Sequence, residues 1–344
     1  MSHYQPEHAP VLPPGWTARS PEPGDVPALA ELAAEHTRSV VGSATVDLDA
    51  VATEAVGLGS WTRRQLVVLD QAGQRQAWVR VQDRAAGRTV VVVTVHPGCE
   101  EGALAAGLYG WAEAAALQIA NQRQLNATQL DSGAYAADSR QRGWLAEAGY
   151  QHTRTWLQMS RPVRSEEAAP GGLPALRTGV TVRPVASHDN GLPVAADLQL
   201  VHQLLEESFA DHFNSYRESF PEFVQRLRED PGHRWDHWWI ASVDIDGVDV
   251  PAGAVVGSVL PTDETGHEGS YVDYIGVHRR ARGRGVAKAL IHTVIADAAR
   301  RDRNRVGLEV DADSPTGADA LYVSMGWVTR YQTESWHRTV QTSA

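Results

Sequence analysis

The stretch Val277–Leu290, "VHRRARGRGVAKAL", sets two glycines among arginines and then runs directly into an apolar-periodic segment. A β-type run, "SYVDYIGV", precedes it, so the pattern predicts a strand ending at Val277, a tight loop, and a helix starting near Gly285. In that order several backbone N–H groups gather at the positive end of a helix, an arrangement suited to phosphate or pyrophosphate. Gly283 and Gly285 let an anion approach the backbone without a Cβ in the way. The loop lacks the Gly-Lys-Ser/Thr ending of a nucleotide-hydrolysing P-loop, and its spacing departs from the three-glycine dinucleotide fingerprint.

Working outward, the chain is written twice. "GWTARSPEPGDVPALAELAAEH", from Gly15, reads as a short strand, a turn and an amphipathic helix, and "GVTVRPVASHDNGLPVAADLQLVHQLLEESF", from Gly179, repeats that grammar. Three strand-like runs follow in each half, over 65–97 and 238–279, and then a long Ala-rich helix, Ala103 to Ala120 and Val286 to Arg301. Each half closes on a Gly-aromatic step and a last strand, "AGYQHTRTWLQMSRPV" against "MGWVTRYQTESWHRTV". The spacing predicts a Pro-rich tail over 1–15, a first domain over 16–163, a Pro/Gly-rich linker over 164–178 and a second domain over 179–344. Each copy is of the α+β class.

Composition narrows the function. With 344 residues, 42 % hydrophobic and 21 % charged, the chain has the make-up of a globular protein of about two domains. No apolar run approaches the roughly 20 residues of a membrane span, and the N-terminus has no secretory pattern, so the expectation is a cytoplasmic protein with no membrane partner. The single cysteine, Cys99, excludes an internal disulfide, and the histidines lack metal-ligand spacing, so no metal is expected. A net charge of -11 argues against a nucleic-acid partner, and Lys288 is the only lysine, which marks the arginine excess as a compositional bias.

The run Arg282-Gly283-Arg284-Gly285-Val286-Ala287 resembles the Arg/Gln-x-x-Gly-x-Gly/Ala signature of the GCN5-related N-acetyltransferase (GNAT) superfamily, with "V-H" at its usual place before it. "LEVDADSPTGADALYVSMGW", Leu308 to Trp327, is similar to the superfamily's last strand-helix-strand passage. The resemblance implies two tandem GNAT domains, each a mixed, mostly antiparallel twisted sheet flanked by helices, and acetyl-CoA as co-substrate. It implies that the pyrophosphate lies on the amides of Arg282, Gly283, Arg284, Gly285, Val286 and Ala287, and the thioester oxygen at a backbone N–H among Ile275, Gly276 and Val277. Ser314 stands where the family usually has Asn, which puts a side-chain contact to the pantetheine in doubt.

Aligned on this loop, the first copy places Glu100 and Glu101 at Arg282 and Gly283, and Ala103 at Gly285, so carboxylates face the anion position and the first copy is expected to have lost CoA binding. The tandem layout resembles the mycothiol-synthase type and some actinobacterial antibiotic-modifying acetyltransferases. For acid and base, Tyr322 matches the family's Leu-Tyr position as general acid; the alternative is a tyrosine closing the core beneath Gly326. Strand alternation sets Tyr271, Asp273, Ile275 and Val277 on one face, making Asp273 the candidate base with Glu268 behind it; a merely structural carboxylate is the alternative. Asp211, His212, Asn214 and Tyr216 are the candidate acceptor-binding residues, and Glu206, Glu207, Asp211 and Glu218 favour a cationic amine. The expected partner is a small-molecule amine acceptor, the assembly a monomer or homodimer, and the rival function a non-catalytic acyl-CoA-binding module.

Overall fold

The computed structural model describes residues 9–84, 87–99, 102–210, 218–314 and 317–342. In chain order the first half forms β1 (Thr17–Arg19), α1 (Val26–Val41), α2 (Leu48–Ala55), β2 (Arg63–Leu69), β3 (Arg75–Arg84), β4 (Arg88–Val95), α3 (Gly102–Gln122), β5 (Ala127–Tyr135), α4 (Ser139–Glu147) and β6 (Gln151–Pro162). The second half repeats the series as β7 (Val180–Pro184), α5 (Ala195–Phe209), α6 (Phe220–Arg228), β8 (His233–Ile245), β9 (Val248–Leu260), β10 (Gly269–Val277), α7 (Val286–Arg300), β11 (Arg305–Asp311), α8 (Ala318–Ser324) and β12 (Val328–Gln341). None of these helices is long and apolar enough to cross a membrane.

The chain folds into two compact units, and neither is continuous in sequence. The first takes in 1–157, 311–316 and 331–344; the second takes in 158–310 and 317–330. This differs from a division at 163 and 179. In the first unit β12 runs antiparallel to β5, from Thr333 opposite Tyr135 to Gln341 opposite Ala127, and gives the order β1-β2-β3-β4-β5-β12. In the second, the end of β6 lies beside β11 in the order β6-β11-β10-β9-β8-β7, and Val163 N–H donates to Asn304 O at 2.9 Å. The last strand of each repeat thus finishes in the unit built mainly from the other, because the edge of β5 or β11 needs only an antiparallel partner of matching length.

Val11 and Leu12 of the N-terminal segment and the linker are also tied down. Leu12 and Trp16 pack on the core of the first unit, and a Cβ on Gly107 would stand 2.1 Å from Val11 O, so the glycine in α3 is what admits this segment. Linker residues 164–178 belong to the second unit.

Both units build the same layers. In the first, α1 and α2 cover Val67 and Trp78 on one face of the sheet, while α3 packs on Val79, Val81, Val91 and Val93 of the other. In the second, α5 and α6 cover Trp238, Ile240, Ala254 and Val256. A Cβ on Gly253 would meet Val286 and Leu290 of α7 at 3.0 and 3.4 Å, so this glycine lets α7 lie close to the opposite face. Trp238 and Trp239 are core residues.

A bidentate ion pair fixes the entry to both units. Arg19 donates to both carboxylate oxygens of Asp25 at 2.6 and 2.8 Å, and Arg183 donates to both of Asp197 at the same distances. Asp25 is 1 % exposed and also accepts from Arg75 and from Glu22 N–H. Burial opposes its ionisation, but the bonds from Arg19, Glu22 and Arg75 outweigh burial and hold the carboxyl at about 2. A carboxyl lowered in the folded state contributes stability above its unfolded value near 4 and loses it as pH falls toward 2. Asp25→Asn should destabilise the protein by about 3–5 kcal/mol at neutral pH, with a smaller difference from wild type in denaturant titrations below about pH 3.

Candidate functional site

The second unit holds the elements the glycine loop needs. β10 and β11 are parallel and pair over four residues, from Gly269 opposite Arg305 to Val272 opposite Leu308. The pairing stops there although β10 continues to Val277 and β11 to Asp311, so the two strands part toward the loop. On its other edge β10 stays paired with β9 as far as Val277 opposite Gly253. His278 N–H donates to Ala252 O at 2.8 Å, which sets the parity of that ladder. The amides of Tyr274 and Gly276 therefore face β9, and those of Ile275 and Val277 face the gap opened by β11. These are two fixed donors beside a slot between strands.

Past Val277, His278 turns the chain: its Nδ1 accepts from Arg280 N–H at 3.2 Å and its carbonyl from Ala281 N–H at 2.8 Å, closing one 3-10 turn over Arg279–Ala281. Gly283 then has φ +79° and Gly285, the N-cap of α7, φ +90°, both in the left-handed region. The amides of Val286 and Ala287 fall in the first turn of α7, where no intrahelical acceptor exists. Arg282, Gly283 and Arg284 are exposed. The expected anion-binding set is thus brought together, with one exception: Ser314 falls in the 311–316 segment that clusters with the first unit.

Asp273 stands where alternation fails. The β10 register against β9 shifts between Val272 and Tyr274, so Asp273 is the extra residue of a β-bulge. Across such a bulge two successive side chains turn to one side. Tyr274 packs on the α5/α6 core and Asp273 feels Arg226 and Asp230 from the α6 end. Ile275 and Val277 alternate with Gly276, whose missing Cβ would stand 2.9 Å from Ser208 on α5; they face the other way, and the single face expected for Tyr271, Asp273, Ile275 and Val277 does not form. Ser258 Oγ donates to Asp273 Oδ1 at 3.1 Å. Burial first and the charge of Asp230 second push the Asp273 carboxyl up to about 7, against the opposing pull of Ser258 and Arg226. Glu268 lies before the far end of β10, 3.6 Å from Arg303, and has no place beside Asp273.

Around this carboxyl the structure assembles groups that the sequence did not single out. Arg226 donates from Nε and Nη2 to the two oxygens of Glu218 at 2.9 and 2.6 Å, and from Nη1 to the Tyr274 hydroxyl. Glu218 is therefore held by an arginine, which reduces the acidic character expected of the acceptor side, and Glu207 lies 3.3 Å from His278. Ser258, a lone hydroxyl in the apolar run "AGAVVGSVL", was the one legible signal; nothing in "VQRLRED" marks Arg226. Asp211, His212, Asn214 and Tyr216 lie outside the described residues. Tyr322, on α8, is 6 % exposed with its ring 5.7 Å from that of Trp327, and burial pushes its hydroxyl up to about 12.

The first unit preserves the frame. β4 and β5 pair in parallel over only Arg88 to Val90, His96 makes the same turn through Gly98 and Cys99, and Glu35 lies 3.0 Å from His96 as Glu207 does near His278. Cys99 is buried as Ala281 is, which gives the lone cysteine a packing role. Glu100 and Glu101 lie outside the described residues. Arg140 closes over this turn by donating to Pro97 O and Cys99 O at 2.6 and 2.8 Å.

A strand that pairs only briefly with its parallel neighbour before turning toward a helix occurs in both units. A model of the acetyltransferase (GNAT) family matches residues 200–327. A GCN5-related N-acetyltransferase from Sphaerobacter thermophilus superposes with a TM-score of 0.73 at 23 % identity over 97 % of this chain and 98 % of that one. A tandem GNAT protein from the clavulanic acid biosynthesis pathway gives 0.65 at 14 % identity over 96 % and 98 %. A glucosamine N-acetyltransferase region of a fungal multi-domain β-N-acetylglucosaminidase gives 0.62 at 10 % identity over 95 % of this chain and 38 % of that one. No curated protein sequence matches the chain. Residues 200–327 thus match the GNAT family, and the chain as a whole shares the fold of these GNAT proteins, a tandem one among them.

Gly285→Ala tests the loop directly. The added Cβ would carry a φ of +90° and meet Arg177 Cδ at 2.8 Å, so calorimetric titration should show acetyl-CoA affinity reduced on the order of tenfold or more.

Proposed function

We propose that this protein is an N-acetyltransferase that moves the acetyl group of acetyl-CoA to the primary amine of a small, cationic or amino-sugar-like molecule, with the chemistry in the second unit. The observation that carries this reading is the position of Asp273: a carboxyl with a pKa of about 7 on the strand whose next amides face the slot beside the glycine loop. A carboxyl in that range is partly ionised near neutral pH, and its ionised fraction can take a proton from an ammonium group. The amine nitrogen then bonds to the thioester carbonyl carbon while the oxygen gains charge against Ile275 or Val277 N–H, and the C–S bond breaks as the nitrogen gives its second proton to solvent. Tyr322, whose raised pKa keeps the phenol protonated, gives its proton to the leaving sulfur.

The first unit serves as scaffold in this reading. What supports it is the sequence pair Glu100-Glu101 at the anion position and the carbonyl clasp of Arg140 over the preceding turn. An amino-sugar acceptor is in keeping with the glucosamine N-acetyltransferase region that shares the fold. Asp273 and Asp230 on the α6 side suit a cationic acceptor even with Glu218 engaged by Arg226.

The reading is tested by thiol release from acetyl-CoA over a panel of amines. Wild-type kcat/KM should rise with pH through about 7; Asp273→Asn should lower it on the order of a hundredfold or more and remove that limb. An unchanged acidic limb in the variant would place the base elsewhere. Tyr322→Phe should lower kcat by more than about tenfold while leaving acetyl-CoA affinity in place, and equal turnover would return Tyr322 to a packing role.

A further inference from the structure

We propose that Arg177, in the segment that joins the two sequence repeats, belongs to the phosphate site and binds the pyrophosphate of the acyl-CoA donor. The inference rests on the reading that the second unit binds that donor. Residues 164–178 look in sequence like a tether, yet they are laid along the second unit at successive fixed points. Glu167, buried in a 3-10 turn over Ser165–Ala168, accepts from Arg161 Nη2 at 2.7 Å and from Arg164 N–H at 2.9 Å. Gly172 closes a turn so tight that a Cβ there would lie 2.0 Å from Glu166 O. The Pro174 carbonyl bonds His292 on α7. Arg177 O accepts from Val180 N–H at 3.0 Å as the chain enters β7.

Between those last two points Arg177 reaches both loop glycines. Its Nη1 donates to Gly283 O at 2.9 Å, and its Cδ and Cγ occupy the space where a Cβ on Gly285 would come within 2.8 and 3.2 Å. Gly285 therefore does two things: it takes a left-handed φ, and it gives the arginine stem a seat. A guanidinium has five N–H donors, and a single bond to a carbonyl leaves others to meet phosphate oxygens. The stem is held by packing and the head by one hydrogen bond at the rim of the amide cradle, so less side-chain freedom remains to be lost on binding than for a solvated arginine. Arg284, by contrast, directs Nη1 toward Asp244 O at 3.4 Å, away from the glycines.

The test is calorimetric titration of acetyl-CoA and of acetyl-dephospho-CoA, which lacks the 3′-phosphate, into wild type, Arg177→Met and Arg177→Lys. Methionine keeps an aliphatic stem for Gly285 and removes the charge. The expected result is a loss on the order of tenfold for both ligands in Arg177→Met, a smaller loss in Arg177→Lys, and ligand-free melting temperatures that match wild type. Affinities in Arg177→Met equal to wild type would overturn the assignment, and so would a loss confined to acetyl-CoA, which would give Arg177 to the 3′-phosphate. A wild type that binds neither ligand would overturn the reading of the second unit itself, and this inference with it.

Discussion

The constraint on which the second unit turns is the short parallel pairing of β10 with β11. Four paired residues tie the strands, and beyond Val272 and Leu308 they separate. Parting leaves the edge N–H groups of Ile275 and Val277 without a ladder partner on that side, a state an inner strand avoids unless a ligand or solvent satisfies it. The same parting delivers the chain into the loop at Gly283 and Gly285, so donor slot and anion cradle follow from one departure from sheet regularity.

The bulge at Asp273 is coupled to this geometry and carries a thermodynamic cost. A carboxyl whose folded pKa is raised to about 7 holds its proton more tightly when folded, so stability falls as pH rises from the unfolded value near 4 through 7. The opposite sign holds at Asp25, where a carboxyl lowered to about 2 supports the fold across the whole neutral range. Asp25 sits amid arginines that favour its charged form, and Asp273 is desolvated and feels the charge of Asp230. Their environments push the two in opposite directions.

Much of this was legible in advance. The glycine loop, the strand before it and the helix after it follow from residue types at fixed spacing, because φ near +80° and an uncovered helix N-terminus are local properties that glycine encodes directly. The duplication was legible for the same reason, and it recurs in the Arg19–Asp25 and Arg183–Asp197 pairs and the Glu35–His96 and Glu207–His278 pairs. The alternation that would set Asp273 on one face with Ile275 and Val277 fails, since a bulge changes facing without changing composition.

By itself, then, the sequence determined two α+β copies and, in the second of them, a strand, a two-glycine turn and a helix in that order. Tertiary structure alone decided that β12 completes the sheet of the first unit, that the Pro/Gly-rich join is laid along α7 with Arg177 at the loop, and that Arg226 claims Glu218. The physical reason is common to all three. Backbone ladders and ion pairs between residues distant in sequence are chosen by which partner is available in space, and a strand or an arginine carries no mark of which partner that will be.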